Sequence, residues 1–172
     1  MLKEFFQRRG LRKGASKVPT GLIPLREVRS AVVIIDVEDT SFSDCKEAVL
    51  SFFKDRKIKG DIFFLDFRKL SREERLITSI TTTILRRDLG WYGKPRKEKV
   101  DLMLKGEPDM FISLIAQPSY ALEYMASCSR ARFKAGRSDA PVFDLVLRDT
   151  PEKPLSEFEA FQEIVKLLDK IA

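Results

Sequence analysis

Continuous apolar runs recur along the chain and are separated by stretches with helical periodicity. The clearest run begins at Ser30 and reads SAVVIIDV, and a second begins at Asp61 and reads DIFFLDF. A β-branched run without polar alternation is typical of a strand that is buried on both faces of a parallel sheet. Shorter runs follow towards the end of the chain. The pattern predicts strands over 30–37, 61–67, 109–115, 131–135 and 142–147.

Helices are predicted between and after these strands. Apolar residues recur at spacings of three and four in three stretches, 43–57, 119–129 and 155–171. This is the pattern of a helix that covers a sheet with one face. The first helix is expected to begin at Ser43 or Asp44 and to stop at Gly60. The alternation predicts a single Rossmann-like, layered α/β domain with a mostly parallel sheet over 30–172.

The stretch from Leu70 to Leu89 fits neither pattern. Its β-branched residues crowd into 77–84, which favours a short helix followed by a strand. Residues 90–95, GWYGKP, predict a loop because of their glycines and proline. A cluster of basic side chains surrounds this loop, namely Arg86, Arg87, Lys94, Arg96, Lys97 and Lys99.

A basic arm, residues 1–29, precedes the first predicted strand. It has the apolar side of a short helix, formed by Leu2, Phe5 and Phe6. Gly10 and Gly14 weaken that helix, because glycine is a poor helix former. The arm carries a net charge of +6, which is the net charge of the whole chain, so the rest of the chain is neutral. The arm is expected either to pack on the body of the protein or to stay mobile.

Two kinds of partner suit the cations Arg8, Arg9, Arg12 and Lys13 of this arm. A basic helix with exposed phenylalanines binds the surface of an anionic membrane. The same cations bind the phosphates of a nucleic acid. A third alternative is intramolecular, with the arm packed on the acidic carboxylates of the predicted C-terminal helix, Glu157, Glu159 and Glu163.

No apolar run is long enough to span a bilayer, and no apolar stretch of signal-peptide length follows the basic start. The sequence therefore predicts a cytoplasmic protein with no transmembrane segment, in peripheral contact with a membrane if the arm binds lipid.

Composition excludes several kinds of catalytic site. The chain contains no histidine, which removes Ser-His-Asp and Cys-His catalysis and histidine metal sites. Its two cysteines, Cys45 and Cys128, share no metal-binding or redox spacing. The connection after the first predicted strand lacks glycine, so no glycine-rich phosphate loop fits there. We therefore expect no catalytic residue, no metal and no cofactor.

Candidate ligand-binding residues follow three of the predicted strands. Open α/β sheets bind their ligands outside the carboxyl ends of the strands. Asp36, Glu38 and Asp39 follow the first strand, Ser113 and Gln117 lie near the end of the strand at 109–115, and Gly136 and Arg137 end the strand at 131–135. Arginine with backbone N–H groups suits an anionic or sugar ligand.

The residues from Asp109 to Gln117 and from Ala131 to Arg137 resemble part of a known fold. An Asp opens an apolar strand, a helix follows, and an Ala-Arg run leads to a Gly. This arrangement is similar to the N-terminal Rossmann-like domain of bacterial heptosyltransferases. The resemblance covers about 29 residues and implies a related half-fold rather than the transferase reaction.

The whole chain resembles a bacterial domain of unknown function found in Bacteroidota. The likeness lies in the basic start, the early strand-helix-strand unit and the strand end Lys134-Ala135-Gly136. This resemblance implies no activity. The function expected from the sequence is a non-catalytic binding or scaffolding domain, peripheral to a membrane through its arm. The alternative is a small enzyme, or a glycosyltransferase-related half-domain, that binds an anionic or sugar ligand at the carboxyl ends of the strands.

Overall fold

The structure is a computed structural model that describes residues 1–69 and 75–171. The described residues form six parallel strands in the order β3-β2-β1-β4-β5-β6. These strands are β1 (Ser30–Asp36), β2 (Lys59–Asp66), β3 (Thr83–Leu85), β4 (Met110–Ser113), β5 (Phe133–Gly136) and β6 (Leu145–Val146). This is the strand order of doubly wound Rossmann folds. The predicted single α/β domain is confirmed, and its described strands are parallel throughout.

Helices cover both faces of the sheet. They are α1 (Leu2–Gly14), α2 (Phe42–Asp55), α3 (Lys97–Leu104), α4 (Tyr120–Cys128) and α5 (Glu157–Lys170). The pair α2 and α5 packs on one face, and the pair α3 and α4 packs on the other. Helix α1 lies outside α4 as an additional layer.

Strand β1 lies in the middle of the sheet, between β2 and β4. Val33 and Ile35 belong to the core beneath α2 and α5, whereas Val32 and Ile34 belong to the core beneath α3 and α4. All four side chains are buried. Burial on both faces is the physical reason for the unbroken apolar run in the sequence.

The predicted bounds of the first body helix, α2, are wrong at both ends. The helix begins at Phe42, directly after Ser41, because the Asp39 side chain accepts the Ser41 N–H and forms the turn earlier. It ends at Asp55, and Lys57 takes the left-handed conformation that reverses the chain. Gly60 is part of β2, where the Phe53 ring lies so close that a Cβ would come within 2.2 Å of it.

The region before β4 differs most from the prediction. Part of the predicted helix after Leu70 falls on residues 70–74, outside the described residues. Within the described part, Ile80–Thr82 form one 3-10 turn and β3 has only three residues. Helix α3 has no counterpart in the prediction, because its eight residues bury only Val100 and Met103 fully.

Helix α1 packs against α4 through residues at helical spacing. Gln7, Gly10, Leu11 and Gly14 share one helix face. A Cβ at Gly10 would lie 2.4 Å from the Tyr120 hydroxyl oxygen, so the glycine permits the close approach of the two helices. Helix α1 does not pack on the acidic C-terminal helix, because α5 lies on the other face of the sheet. The end of the arm does reach α5, since Leu25 and Val28 share a core cluster with Phe161, Ile164 and Leu168.

Candidate functional site

The acidic loop after β1 is bonded to the start of α5. The Asp39 carboxylate accepts the backbone N–H of Ser41 at 2.9 Å and that of Glu157 at 3.4 Å. The Ser41 hydroxyl oxygen accepts the N–H of Phe158 at 3.0 Å. These bonds satisfy N–H groups in the first turns of α2 and α5, which have no partner within their own helices. The predicted ligand residue Asp39 thus serves as a helix cap shared by two helices.

Asp36 lies half-buried at the carboxyl end of β1. Its carboxylate accepts the N–H of Glu38 at 2.8 Å, and its own N–H points at both carboxyl oxygens of Glu157 at 3.1 and 3.0 Å. Burial raises the pKa of Asp36, and the negative charges of Glu38, Asp39 and Asp66 add to the rise against the opposing Glu38 N–H. Glu38 itself is exposed and takes part here through its backbone.

Glu157 is the most unusual titratable group at this end of the sheet. It is 3% exposed, in the first turn of α5. Burial raises its pKa to about 9, the charges of Asp39 and Asp36 add to the rise, and the Asp36 N–H and Arg137 oppose it. The carboxyl group is therefore protonated at neutral pH. The prediction that Glu157 pairs with the cations of the arm is wrong, because Glu157 is buried beneath the loop after β1.

Arg137 ties three segments together at the carboxyl ends of β4 and β5. Its Nη1 donates to the carbonyl oxygen of Leu114 at 2.9 Å. Its Nη2 donates to the Asp149 carboxylate at 2.7 Å and to the carbonyl oxygen of Leu155 at 2.9 Å. Among the described residues its Nε has no hydrogen-bond partner. The guanidinium thus holds the connection between β6 and α5 against the sheet.

The remaining predicted site residues do not gather in one place. Ser113 is buried within β4, and Gln117 is exposed beyond it. The Phe143 ring covers Gly136 so closely that a Cβ there would lie 2.5 Å from it. Arg137 lines a cleft of about 520 Å³ whose lining does not include Asp36, Glu38 or Asp39; the other polar lining residues are Ser119, Glu123, Ser138, Asp139, Arg148 and Asp149.

Metal chemistry and thiol chemistry find little support in the side-chain arrangement. Within residues 1–69 and 75–171 no three side chains of the metal-binding types come together. Both cysteines are buried, and burial raises the pKa of Cys45 to about 12 and that of Cys128 above its ordinary value. Both thiols are therefore protonated at neutral pH, and a protonated thiol is a weak nucleophile.

The outward face of α1 combines apolar and basic side chains. Phe5, Arg8, Arg9 and Arg12 are spaced as i, i+3, i+4 and i+7, opposite the face that packs on α4. Phe5 is 53% exposed and Leu2 66% exposed. Of the two phenylalanines predicted at a membrane interface, Phe5 is thus exposed beside the arginines, whereas Phe6 is half-buried against Trp91 and Tyr92.

Trp91 extends this surface beyond the helix. Its ring lies 5.3 Å from that of Phe6, and Phe6 lies 5.6 Å from Phe5. Gln7 also donates to the carbonyl oxygen of Tyr92 at 2.8 Å, which fastens the loop to α1. Trp91 is 62% exposed. The contact between the arm and this loop was not predicted, because 80 or more residues separate the contacting positions along the chain.

The cations of α1 are free of acidic partners. No ion pair joins an α1 cation to a carboxylate in the part of the chain that the structure describes. We call the set comprising Leu2, Phe5, Arg8, Arg9, Arg12, Lys13 and Trp91 the α1 surface. It presents apolar side chains among uncompensated positive charges. Among the described residues, no helix has both the length and the apolar character that crossing a bilayer requires.

Comparison with known proteins yielded one family. A model described as a family of unknown function, DUF6913, matches residues 3–171. No curated protein and no solved structure matches the chain. The predicted resemblance to a domain of unknown function is confirmed, and a match over nearly the full length shows that the chain belongs to the DUF6913 family.

Proposed function

We propose that this protein is a non-catalytic binding domain that attaches to anionic membrane surfaces through the α1 surface. The observation that carries the proposal is the exposure of Leu2, Phe5 and Trp91 among cations that form no ion pair with a carboxylate of the described residues. Peripheral membrane proteins combine the same two elements, apolar side chains that enter the lipid interface and basic side chains that meet its phosphates.

The expected attachment is reversible. Each lysine or arginine near an anionic surface contributes about 1 kcal/mol, so Arg8, Arg9, Arg12 and Lys13 together supply a few kcal/mol. The apolar side chains add to this in proportion to the area that leaves water, at about 25 cal/mol per Å². Because α1 is already folded and packed on α4, membrane binding does not require the helix to order.

The shape of the surface favours lipid over nucleic acid. Leu2 is aliphatic and offers no ring on which a base would stack. Phe5 and Trp91 each meet Phe6 edge to face, at 86° and 71°, so the three rings form a compact cluster rather than a row of stacking platforms. An interfacial insertion needs only exposed apolar area, which this cluster provides.

The acidic loop supports the non-catalytic part of the proposal. Asp39 and Asp36 bond to backbone groups of α2, α5 and their own loop, and Arg137 is occupied by Asp149 and two carbonyl oxygens. These side chains hold the fold together at the place where Rossmann-like proteins bind ligands.

Anionic lipids are concentrated in the cytoplasmic leaflet, which makes that face of the membrane the proposed location.

The experiment uses Trp91, the single tryptophan of the chain, as the probe. We expect the full-length protein to sediment with vesicles of phosphatidylcholine and phosphatidylglycerol, and the Trp91 emission to shift to the blue. Vesicles of phosphatidylcholine alone are expected to bind it much more weakly. The variant Phe5→Ser and the triple variant Arg8→Gln, Arg9→Gln, Arg12→Gln should each reduce binding at least tenfold.

Matched controls lie on α2, on the other face of the molecule. Leu50 is about as exposed as Phe5, and Lys54 is an exposed cation. Leu50→Ser and Lys54→Gln are expected to leave vesicle binding unchanged. The proposal is wrong if anionic vesicles produce no blue shift, if the α2 variants weaken binding as much as the α1 variants, or if single-stranded oligonucleotides bind at lower concentrations than vesicles do.

A second candidate function rests on the cleft of about 520 Å³ beside Arg137. Arg137 is occupied by Asp149, but the Arg148 side chain is 74% exposed beside Asp139 and can meet an anionic group, while the serines and carboxylates of the lining can meet hydroxyl groups. This combination suits a sugar phosphate. A thermal-shift assay with sugar phosphates and nucleotide sugars tests this candidate, since a ligand at 100 times its Kd stabilises by about 2.7 kcal/mol. Arg148→Gln should abolish the shift, and a shift that survives this change contradicts the assignment.

A further inference from the structure

A second cleft, of about 620 Å³, opens at the amino ends of β1 and β2. Its floor is formed by Val32 and Phe63, which project on the face that carries α3 and α4. One wall is the end of α3 with Leu102, and the other wall is the turn that contains Thr81 and Thr82. The cleft lies at the opposite end of the strands from Asp36 and Arg137.

The cleft lies beside the connection from β2 to β3. In the connection from β2 to β3, the described residues 67–69 and 75–82 contain no α-helix. Parallel sheets are normally covered by helices on both faces. On this face α3 flanks the cleft, and the cleft narrows towards Val32 and Phe63, each only 4% exposed at its floor.

Lys99 connects the two walls of the cleft and fixes the distance between them. Its ammonium group extends from α3 and donates to the carbonyl oxygens of Ile80 and, at 2.7 Å, of Thr83. Asp88 lies 3.7 Å from the same ammonium group. Because the Lys99 side chain is largely buried in these contacts, the cleft is formed before any ligand arrives. A preformed site of this size is within the usual range for small ligands, roughly 300–1,000 Å³.

The mouth of the cleft is positively charged. Lys59 and Lys105 line it, and neither forms an ion pair with any residue in the described ranges. Asp61 also lines it, so the mouth carries one net positive charge. Leu102, which is 38% exposed, continues the apolar lining out to the rim. The cleft thus pairs an apolar interior with a cationic entrance.

We propose that this cleft binds an anionic amphiphile with a single hydrocarbon chain, such as a medium-chain fatty acid. The carboxylate lies between Lys59 and Lys105, and the chain lies against Val32, Phe63 and Leu102. Charge-assisted contacts at the mouth orient the ligand, and apolar burial supplies most of the affinity. The inference is independent of the α1 surface, because no residue of α1 lines the cleft.

Isothermal titration calorimetry of the full chain with decanoate, below the concentration at which it aggregates, tests the proposal. We expect saturable binding of one decanoate per chain. Butanoate has the head group without the chain, and decyltrimethylammonium has the chain with the opposite charge. Both should bind at least tenfold more weakly than decanoate. Dihexanoylphosphatidylglycerol, an anionic lipid with two chains, should also bind more weakly, which separates a free fatty acid from a membrane lipid as the source.

Surface variants locate the bound ligand. The double variant Lys59→Gln, Lys105→Gln and the variant Leu102→Ser should each weaken decanoate binding about tenfold, which corresponds to about 1.4 kcal/mol. Lys54→Gln and Leu50→Ser, on α2, should not change it. The proposal is overturned if decanoate shows no saturable binding, if the double variant binds it as tightly as the native protein, or if decyltrimethylammonium binds equally well. None of these results tests the proposed vesicle binding by the α1 surface, which is measured separately.

Discussion

Glu157 lies beneath the loop after β1, with both carboxyl oxygens facing the N–H of Asp36. Two other acids, Asp36 and Asp39, are close enough to disfavour its ionisation, and burial disfavours it more. At the residue scale, the acidic cluster thus carries less negative charge at neutral pH than its composition indicates. A protonated carboxyl group is compatible with a buried position beside two aspartates, whereas three charged carboxylates would repel one another.

The pH dependence of folding stability follows from this proton. In the unfolded chain Glu157 titrates at its ordinary value of 4.5, and in the folded protein at about 9. Between these values the folded state keeps a proton that the unfolded state has released, so stability falls as pH rises through this window. Glu157→Gln keeps an acceptor for the Asp36 N–H but has no proton to release. We expect its free energy of unfolding to fall less between pH 5 and pH 8 than that of the native protein, with a difference of at least about 1 kcal/mol.

Urea unfolding at the two pH values measures this difference. Glu163→Gln is the matched control, because Glu163 lies on the same helix with its side chain 45% exposed beside Lys166. The control should retain the pH dependence of the native protein. A Glu157→Gln variant that loses stability with pH as steeply as the native protein would show that Glu157 is ionised in the folded state.

At the scale of elements, the position of α1 depends on two glycines. Gly10 and Gly14 face Tyr120, Tyr124 and Cys128 of α4 so closely that a Cβ would lie 2.4 and 3.0 Å from the nearest atoms. From the sequence alone, both glycines were expected only to weaken the helix. In the folded protein they allow the helix to approach α4, which supplies the tertiary contacts that a short helix needs for stability.

A larger side chain at this contact should release the helix. We expect Gly10→Leu to destabilise the packing of α1 by about 1–3 kcal/mol, since the leucine meets the Tyr120 hydroxyl. Hydrogen exchange of residues 2–14, followed by mass spectrometry, should become faster, while exchange in β1 and β4 stays unchanged. Arg9→Leu adds the same side chain to the exposed face of the helix and should leave exchange as it is. Equal exchange in both variants would contradict the role assigned to Gly10.

The success of prediction from sequence differed between elements for a physical reason. The apolar run in β1 predicts its strand because Val33 and its neighbours are buried on both faces. Burial of this kind selects consecutive apolar residues, so it can be recognised from a short stretch of sequence. Helix α3 was missed because eight residues with few buried side chains give a weak periodic signal. The burial of Glu157 and the contact of Phe6 with Trp91 depend on segments far apart in the sequence, and no local pattern reports such contacts.

At the scale of the whole molecule, the positive charge is concentrated on one side of the sheet. The net charge of +6 lies in residues 1–29, and the remaining chain is neutral. Helix α1, which is held on one side of the sheet, contains five of the cations and one anion. Helix α5 lies on the other face, where Glu159, Glu163 and Asp169 outnumber its two lysines while Glu157 is protonated. The molecule therefore has a charge asymmetry across its sheet, which orients it towards a negatively charged surface before contact.

Such long-range attraction is screened by salt. The Debye length falls from about 10 Å at 0.1 M to about 3 Å at 1 M ionic strength. We expect an increase in NaCl from about 0.1 M to 1 M to weaken vesicle binding at least tenfold, because the cations of the α1 surface are exposed. The remaining bound protein should still show the blue-shifted Trp91 emission, since apolar insertion does not depend on charge. Binding that is insensitive to salt would contradict the electrostatic part of the mechanism.

The bond between the start of α5 and the end of β1 joins positions 121 residues apart. During synthesis, β1 leaves the ribosome long before α5 is made. Until then the Val33 and Ile35 side of the nascent sheet lacks half of its cover, because α2 alone packs there. Contacts between segments that are far apart in the sequence form slowly, and the apolar surface that they cover stays exposed until they form. A nascent chain stalled before Glu157 should therefore remain protease-sensitive and depend on chaperones.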